Sequence, residues 1–205
     1  MIYPQKNALI NWFFHNYILR IVRGNFHEVK FNAIEVDKNR SVLLLANHFS
    51  WWDGFLMYYV NQRILKKRFH VMVIEETVKK VSFFKYVGAF SVSKNSRDML
   101  ASLEYAAQLL NDPENLVLVF PQGRLYSNFI NEVNFEKGLS RIMEKAYGQF
   151  QTVLAATFIE NLQHKRPMAN VYLKGVNMLN DGNTAQNVYQ QHYNFSKLSQ
   201  VQNII

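Results

Sequence analysis

The chain contains no cysteine. That excludes a disulfide framework, a thiolate nucleophile and a Cys-based zinc site, and it fits a reducing compartment. No stretch approaches the roughly 20 consecutive apolar residues that cross a bilayer. The apolar segment after Lys6 is interrupted by His15, Asn16 and Arg20. No small-residue cleavage site follows it, so it is not read as a secretory signal. The phosphate-binding G-x-x-x-x-G-K-[ST] loop, the dinucleotide G-x-G-x-x-G and the zinc-binding H-E-x-x-H are all missing. So is the G-x-S-x-G nucleophile elbow, which leaves a serine acyl-enzyme without support. The six histidines are scattered singly, so no metal site is expected. There is no internal repeat and no linker.

What is present is enough for a real core. Hydrophobic residues make up 49% of the 205 residues and aromatics 15%, which excludes a disordered chain and suits one domain with at most a short appendage. The formal charge is +8 and the sequence pI about 9.6. Such a protein seeks anions: nucleic acid, anionic lipid headgroups or acidic small molecules. No helix-turn-helix, zinc-finger or aromatic RNP pattern accompanies the charge, so nucleic acid is not the expected partner.

Residues 7–23 place Ile10, Phe13, Phe14, Tyr17, Ile18 and Ile21 on one helical face, broadened by Trp12, Leu19 and Val22. Lys6, Arg20 and Arg23 lie at its ends. This pattern suits an amphipathic helix in a membrane interface, and equally a helix docked on the protein's own core. The expected organisation is residues 1–24 as this helix and 25–205 as the main domain. Strands are expected at 26–36, 41–46, 68–74, 89–93, 116–120, 153–159 and 170–174. Helices are expected at 54–65, 75–86, from about 96 to the Asp112-Pro113 stop, and at 137–147. The last 24 residues, rich in Asn and Gln, suggest a polar helix with a frayed end. Strands alternating with helices predict a single α/β domain, with a mostly parallel or mixed central sheet flanked by helices.

Four pieces carry possible chemistry. The first is Asn47-His48-Phe49-Ser50-Trp51-Trp52-Asp53, directly after the strand 41–46, and ligands of α/β sheets gather at the carboxyl ends of strands. A separation of five does not align two side chains along a straight helix. His48 and Asp53 therefore meet only if the chain turns between them. An imidazole held by a carboxylate keeps one tautomer and is stabilised when charged, as a general base for a hydroxyl requires. The second piece is Phe120-Pro121-Gln122-Gly123-Arg124, an irregular turn that brings backbone N–H groups into the open and adds a permanent cation. The third runs from Gly88 through a short strand to Lys94, with Arg97 in the following helical turn. The fourth is Asn134-Phe135-Glu136-Lys137-Gly138, leading into a helix.

In this order and at these distances, over about residues 40–160, the pieces resemble the lysophospholipid (glycerolipid) acyltransferase family, represented in bacteria by 1-acyl-glycerol-3-phosphate acyltransferases. Asn47, His48 and Asp53 match the family's N-H-x4-D motif fully. Gly88 matches the second motif, with Lys94 where Arg is usual. Phe120, Pro121 and Gly123 match F-P-E-G-T-R-S, but Gln122 replaces the Glu, and Arg124 stands one place before the family's Arg, whose own place holds Leu125. Phe135, Lys137 and Gly138 resemble the family's phenylalanine-lysine-glycine element. The proline-bearing fourth motif corresponds at best to 153–158, which has no proline.

The resemblance implies acyl transfer from an acyl-CoA or acyl-carrier protein to a hydroxyl or amine of a lysophospholipid or related lipid. His48 would be the general base and Asp53 its orienting partner. Amides around Gly123 would hold the oxyanion. Asn47, Lys94, Arg97, Pro121, Gln122, Gly123 and Arg124 would line the substrate site. No resident cofactor is expected; the thioester is a substrate. The expected location is peripheral, on the cytoplasmic face of a membrane. Lys94, Gln122 and the displaced Arg124 leave the acceptor open: lysophosphatidic acid, an aminoacyl lipid, a glycolipid or a pigment alcohol. The alternative is a protein of the same fold that binds lipid without catalysis.

Overall fold

A computed structural model describes residues 1–93, 96–147, 150–176, 179 and 181–202, the side chains of Ser96 and Arg97 excepted. A helix, α1 (Ala8–Asn25), leads into a short strand, β1 (Glu28–Phe31). There follow β2 (Ser41–Ala46), α2 (Asp53–Val60) with a π turn at Asn61–Leu65, β3 (Arg68–Ile74), α3 (Glu75–Lys80), a 3-10 helix at Ser82–Val87 and β4 (Ala89–Val92). The second half comprises α4 (Ser96–Leu109), β5 (Asn115–Val119), α5 (Gly138–Lys145), β6 (Phe150–Glu160), β7 (Met168–Val176) and α6 (Gly182–Val201).

The described strands form one seven-stranded sheet in the order β1-β7-β6-β2-β5-β3-β4. Every pair is parallel except β6–β7. β2 is central, and all six of its residues are buried, because helices cover both faces of the sheet. Val42, Leu44 and Ala46 join the core beneath α1 and α2, with Ile18, Val22 and Phe55. Leu43 and Leu45 join the opposite core beneath α4, α5 and α6, with Leu103, Ile142 and Tyr189. The domain is thus a three-layer α/β/α arrangement with a mixed sheet, as the alternation of patterns predicted.

The connection leaving β2 runs through α2 to β3, on one side of β2. The connection leaving β5, the neighbour of β2, runs through α5 to β6, on its other side. The loops after β2 and β5 therefore diverge at the carboxyl edge of the sheet, and this divergence is the crevice where α/β proteins place ligands.

Several elements differ from the sequence reading. The strand expected over 26–36 is four residues long, because β1 is an edge strand with β7 as its pairing partner. The helix expected over 75–86 breaks at Val81 (φ −116°, ψ 73°) and continues as the 3-10 helix. Phe83 and Phe84, adjacent in sequence, both pack on the same core there. Gly88 ends that helix at φ 94°, and a Cβ on it would lie 1.9 Å from the Phe69 carbonyl oxygen. The motif glycine is thus required by the close approach of β3's backbone.

The polar C-terminal segment forms a long helix, α6. It is capped by Asp181, whose carboxylate accepts the N–H groups of Asn183 and Thr184. Its inner face is Ala185, Tyr189, His192, Tyr193 and Ser196.

The N-terminal helix docks on the protein's own core along one side and leaves several apolar residues exposed. Asn7 caps it by accepting the Ile10 N–H. Ile18 and Val22 bury fully against the core. Leu9, Trp12, Phe13 and Tyr17 remain 74%, 64%, 56% and 43% exposed. No helix among the described residues is long and apolar enough to cross a membrane.

Candidate active site

The turn after β2 brings His48 and Asp53 together. Asp53 is the first residue of α2 and almost fully buried. Its Oδ2 accepts three N–H groups: Nδ1 of His48 at 2.8 Å, and the backbone N–H groups of Phe49 at 2.7 Å and Ser50 at 2.9 Å. One carboxylate oxygen thus shapes the loop and holds the imidazole. The helix N-terminus adds a favourable field for its negative charge. Burial pushes the Asp53 carboxyl up, while the imidazole and the two amides pull against that shift. Because Nδ1 carries the hydrogen shared with Asp53, Nε2 is the nitrogen left to take a proton. The His48 side chain keeps 27% of its exposure, against 2% for Asp53. The arrangement is a buried carboxylate behind a reachable base.

The loop after β5 completes the frame around His48. The Phe120 ring stacks on the imidazole, with centroids 4.3 Å apart and planes 19° from parallel. The His48 N–H donates to Oε1 of Gln122 at 2.8 Å. The His48 carbonyl accepts the Tyr126 N–H at 2.9 Å. Gly123 adopts φ 67°, where a Cβ would come within 3.0 Å of the Glu136 side chain. Its N–H is taken by the Phe120 carbonyl, so it is not among the amides open to a ligand. Pro121 is buried, and its carbonyl accepts the Glu136 N–H. Arg124 is exposed at the rim; its Nε donates to the Tyr126 hydroxyl at 2.9 Å.

Asn47 is 4% exposed and bridges two strand ends. Its Nδ2 donates to the Thr157 carbonyl and its Oδ1 accepts the Thr157 N–H. This extends the β2–β6 ladder past its last paired residues, Ala46 and Ala155. Beside it, the Tyr189 hydroxyl of α6 donates to the Ala155 carbonyl at 2.7 Å and lies 3.5 Å from Asn47 Oδ1. Tyr189 was not recognised from the sequence. The signal for it was Ala185, Tyr189 and Tyr193 at spacing four, the inner face of a largely polar helix.

His48, Asp53, Asn47, Pro121, Gln122, Gly123 and Arg124 thus cluster at the carboxyl edge of β2 and β5. Lys94 lies outside the described residues. Arg97 stands in the first turn of α4, and its side chain is likewise outside them.

A chain of aromatic contacts leads away from the site. Trp51, 57% exposed, meets Phe55 at 4.5 Å, and Phe55 meets Phe84. Phe84 meets Phe83, which stacks on Phe14 of α1 at 4.3 Å. Between α1 and the 3-10 helix lies an open apolar groove of about 560 Å³, lined by Leu9, Trp12, Phe13, Phe14, Phe83 and Tyr86 among others.

Residues 28–174 match the family model described as Acyltransferase. No curated protein matches the chain. Among solved structures, the 1-acyl-sn-glycerophosphate (LPA) acyltransferase PlsC from Thermotoga maritima is similar. Its TM-score is 0.67 and its sequence identity 14%, over 95% of this chain and 81% of that one.

Proposed function

The chain belongs to the acyltransferase family, and from that premise we propose that it moves a fatty acyl group from an acyl thioester to a lysophospholipid or related lipid acceptor. The observation that carries this reading is the 2.8 Å bond between Asp53 Oδ2 and Nδ1 of a partly exposed His48. His48 Nε2 removes the proton of the acceptor's hydroxyl (or amine) as its oxygen or nitrogen attacks the thioester carbonyl carbon. The imidazolium that forms is held by Asp53 and faces the Phe120 ring. The carbonyl oxygen becomes an oxyanion. The amides of Arg124 and Leu125, which carry no hydrogen bond to other described residues, are the donors left for it. As the tetrahedral intermediate collapses, the carbon–sulfur bond breaks, and the thiolate takes the proton back from Nε2. The products are the acylated acceptor and a free thiol, carried by CoA or by an acyl-carrier protein.

Arg124, on the loop that frames His48, supplies a cation for an anionic headgroup or for the donor's phosphates. The net charge of +8 and the exposed Leu9, Trp12, Phe13, Tyr17 and Trp51 support a peripheral protein, its apolar face in the interface of an anionic cytoplasmic leaflet. The aromatic contacts from Trp51 to Phe14 would then place the site beside that interface.

The test is incubation of purified protein with acyl-CoA or acyl-carrier protein and a panel of lysolipids, followed by mass spectrometry of the lipids. An acylated lysolipid in the parent reaction is expected. A folded protein that binds vesicles and acylates no acceptor with either donor would favour the non-catalytic lipid-binding reading.

A further inference from the structure

We propose that Gln122 is the positioning residue of the catalytic histidine, and that its neutral amide keeps a second negative charge away from the His48–Asp53 couple. This rests on the reading of His48 as the general base and assigns how that base is held. The Gln122 side chain is 1% exposed. Its Oε1 accepts the backbone N–H of His48 from a loop 74 positions away in sequence. The same loop donates the Tyr126 N–H to the His48 carbonyl and lays Phe120 on the ring. His48 is therefore fixed at its N–H, its C=O and one ring face by the loop after β5, and at Nδ1 by Asp53. A side chain so deeply buried, with its carbonyl spent on a backbone N–H, acts on substrate through His48.

The choice of an amide matters as much as the bond. A glutamate would accept the same N–H, since either side chain presents an oxygen there. It would also place a second carboxylate on the backbone N–H adjoining the two that Asp53 accepts, in a region of little solvent, where charges interact strongly. The titratable and charged groups around the couple are Asp53 on α2, Arg124 and Tyr126 on the loop after β5, Glu136 before α5 and Tyr189 on α6. Among these described groups Arg124 is the one permanent cation, and it is exposed and turned to the Tyr126 hydroxyl. An added negative charge would therefore go largely uncompensated and would favour the protonated imidazole.

The experiment compares the parent with Gln122→Leu and Gln122→Glu. Gln122→Leu leaves the His48 N–H unpaired, with an expected loss of about tenfold or more in kcat and KM values for donor and acceptor within about twofold of the parent. Gln122→Glu restores the acceptor. It is expected to recover kcat at alkaline pH and to move the acid limb of the kcat/KM profile up by about one pH unit. The His48 ring titration, followed by NMR, is expected to move with it.

Raised KM with unchanged kcat in Gln122→Leu would make Gln122 a substrate contact and overturn the proposal. So would a Gln122→Glu protein whose NMR titration matches the parent's. If Gln122→Leu does not fold, the Gln122→Glu comparison decides alone. The NMR titration needs no substrate. Absence of turnover by the parent, which would defeat acyl transfer, is thus distinguishable from an unmoved titration, which defeats the role of Gln122.

Discussion

Replacing Asp53 by Asn removes one charge and keeps the size of the side chain. In the parent, Oδ2 and Nδ1 are 2.8 Å apart, which places the centres of the two charges about 4 Å from each other once the imidazolium forms. At an effective permittivity of about 20 this attraction amounts to about 4 kcal/mol. The ring is 27% exposed, so solvent screens part of it, and about 3 kcal/mol remains for the transition state. That corresponds to a fall in kcat of about two orders of magnitude. The fold should bear the change. Burial already disfavours the Asp53 charge, and an amide oxygen still accepts the Phe49 and Ser50 N–H groups, so Tm is expected within about 3 °C of the parent. The assay is thiol release from acyl-CoA under single-turnover conditions, beside a thermal melt. A folded Asp53→Asn protein that turns over within about threefold of the parent would refute the electrostatic role assigned to Asp53.

Other regions give independent predictions. His70 in β3 is 8% exposed, with its Nδ1 buried and unpartnered among the described residues; burial pushes it down to about 4. The unfolded chain takes up that proton near pH 6.5, so stability is full above that value and falls as pH drops toward 4. The loss reaches about 3 kcal/mol, and urea melts of His70→Asn are expected to show a flatter profile over that window. Gly88→Ala meets both a positive φ and the Phe69 carbonyl, and is expected to cost about 3 kcal/mol or more in denaturant melts. Trp12→Glu with Phe13→Glu removes two exposed apolar side chains of α1; it is expected to cut co-sedimentation with anionic vesicles at least about tenfold while leaving Tm within about 3 °C. Unchanged sedimentation would remove α1 from the membrane contact.

The legible parts of this sequence are those where one physical cause acts alone. β2 and β5 are covered on both faces, so Ser-Val-Leu-Leu-Leu-Ala and Leu-Val-Leu-Val stand out as apolar runs. The meeting of His48 and Asp53 was expected only on condition of a turn between them. That turn exists because the Asp53 carboxylate accepts the amides of Phe49 and Ser50. Residues answering to two demands were harder to read. α6 buries Tyr189, His192 and Gln200, whose polar atoms are satisfied by groups on β6 and β7; composition alone therefore reads as a polar helix with a frayed end. Gln190 and Lys197 of the same helix bond the segment 130–133 that leads toward α5, a long-range use that no local pattern reveals. Asn47 reads as a substrate contact in the motif, yet its amide is engaged with Thr157 across 110 positions. The split at Val81 interrupts an apolar spacing that reads as one continuous helix over 75–86.

The most direct measurement is the single-turnover rate of thiol release by His48→Ala beside the parent, with acyl-CoA and an accepted lysolipid. A general base at this position predicts a loss of at least about 10²-fold in the chemical step, with the mutant's Tm and vesicle binding preserved. A folded His48→Ala protein that releases thiol and acylates the lipid at the parent's rate would contradict it.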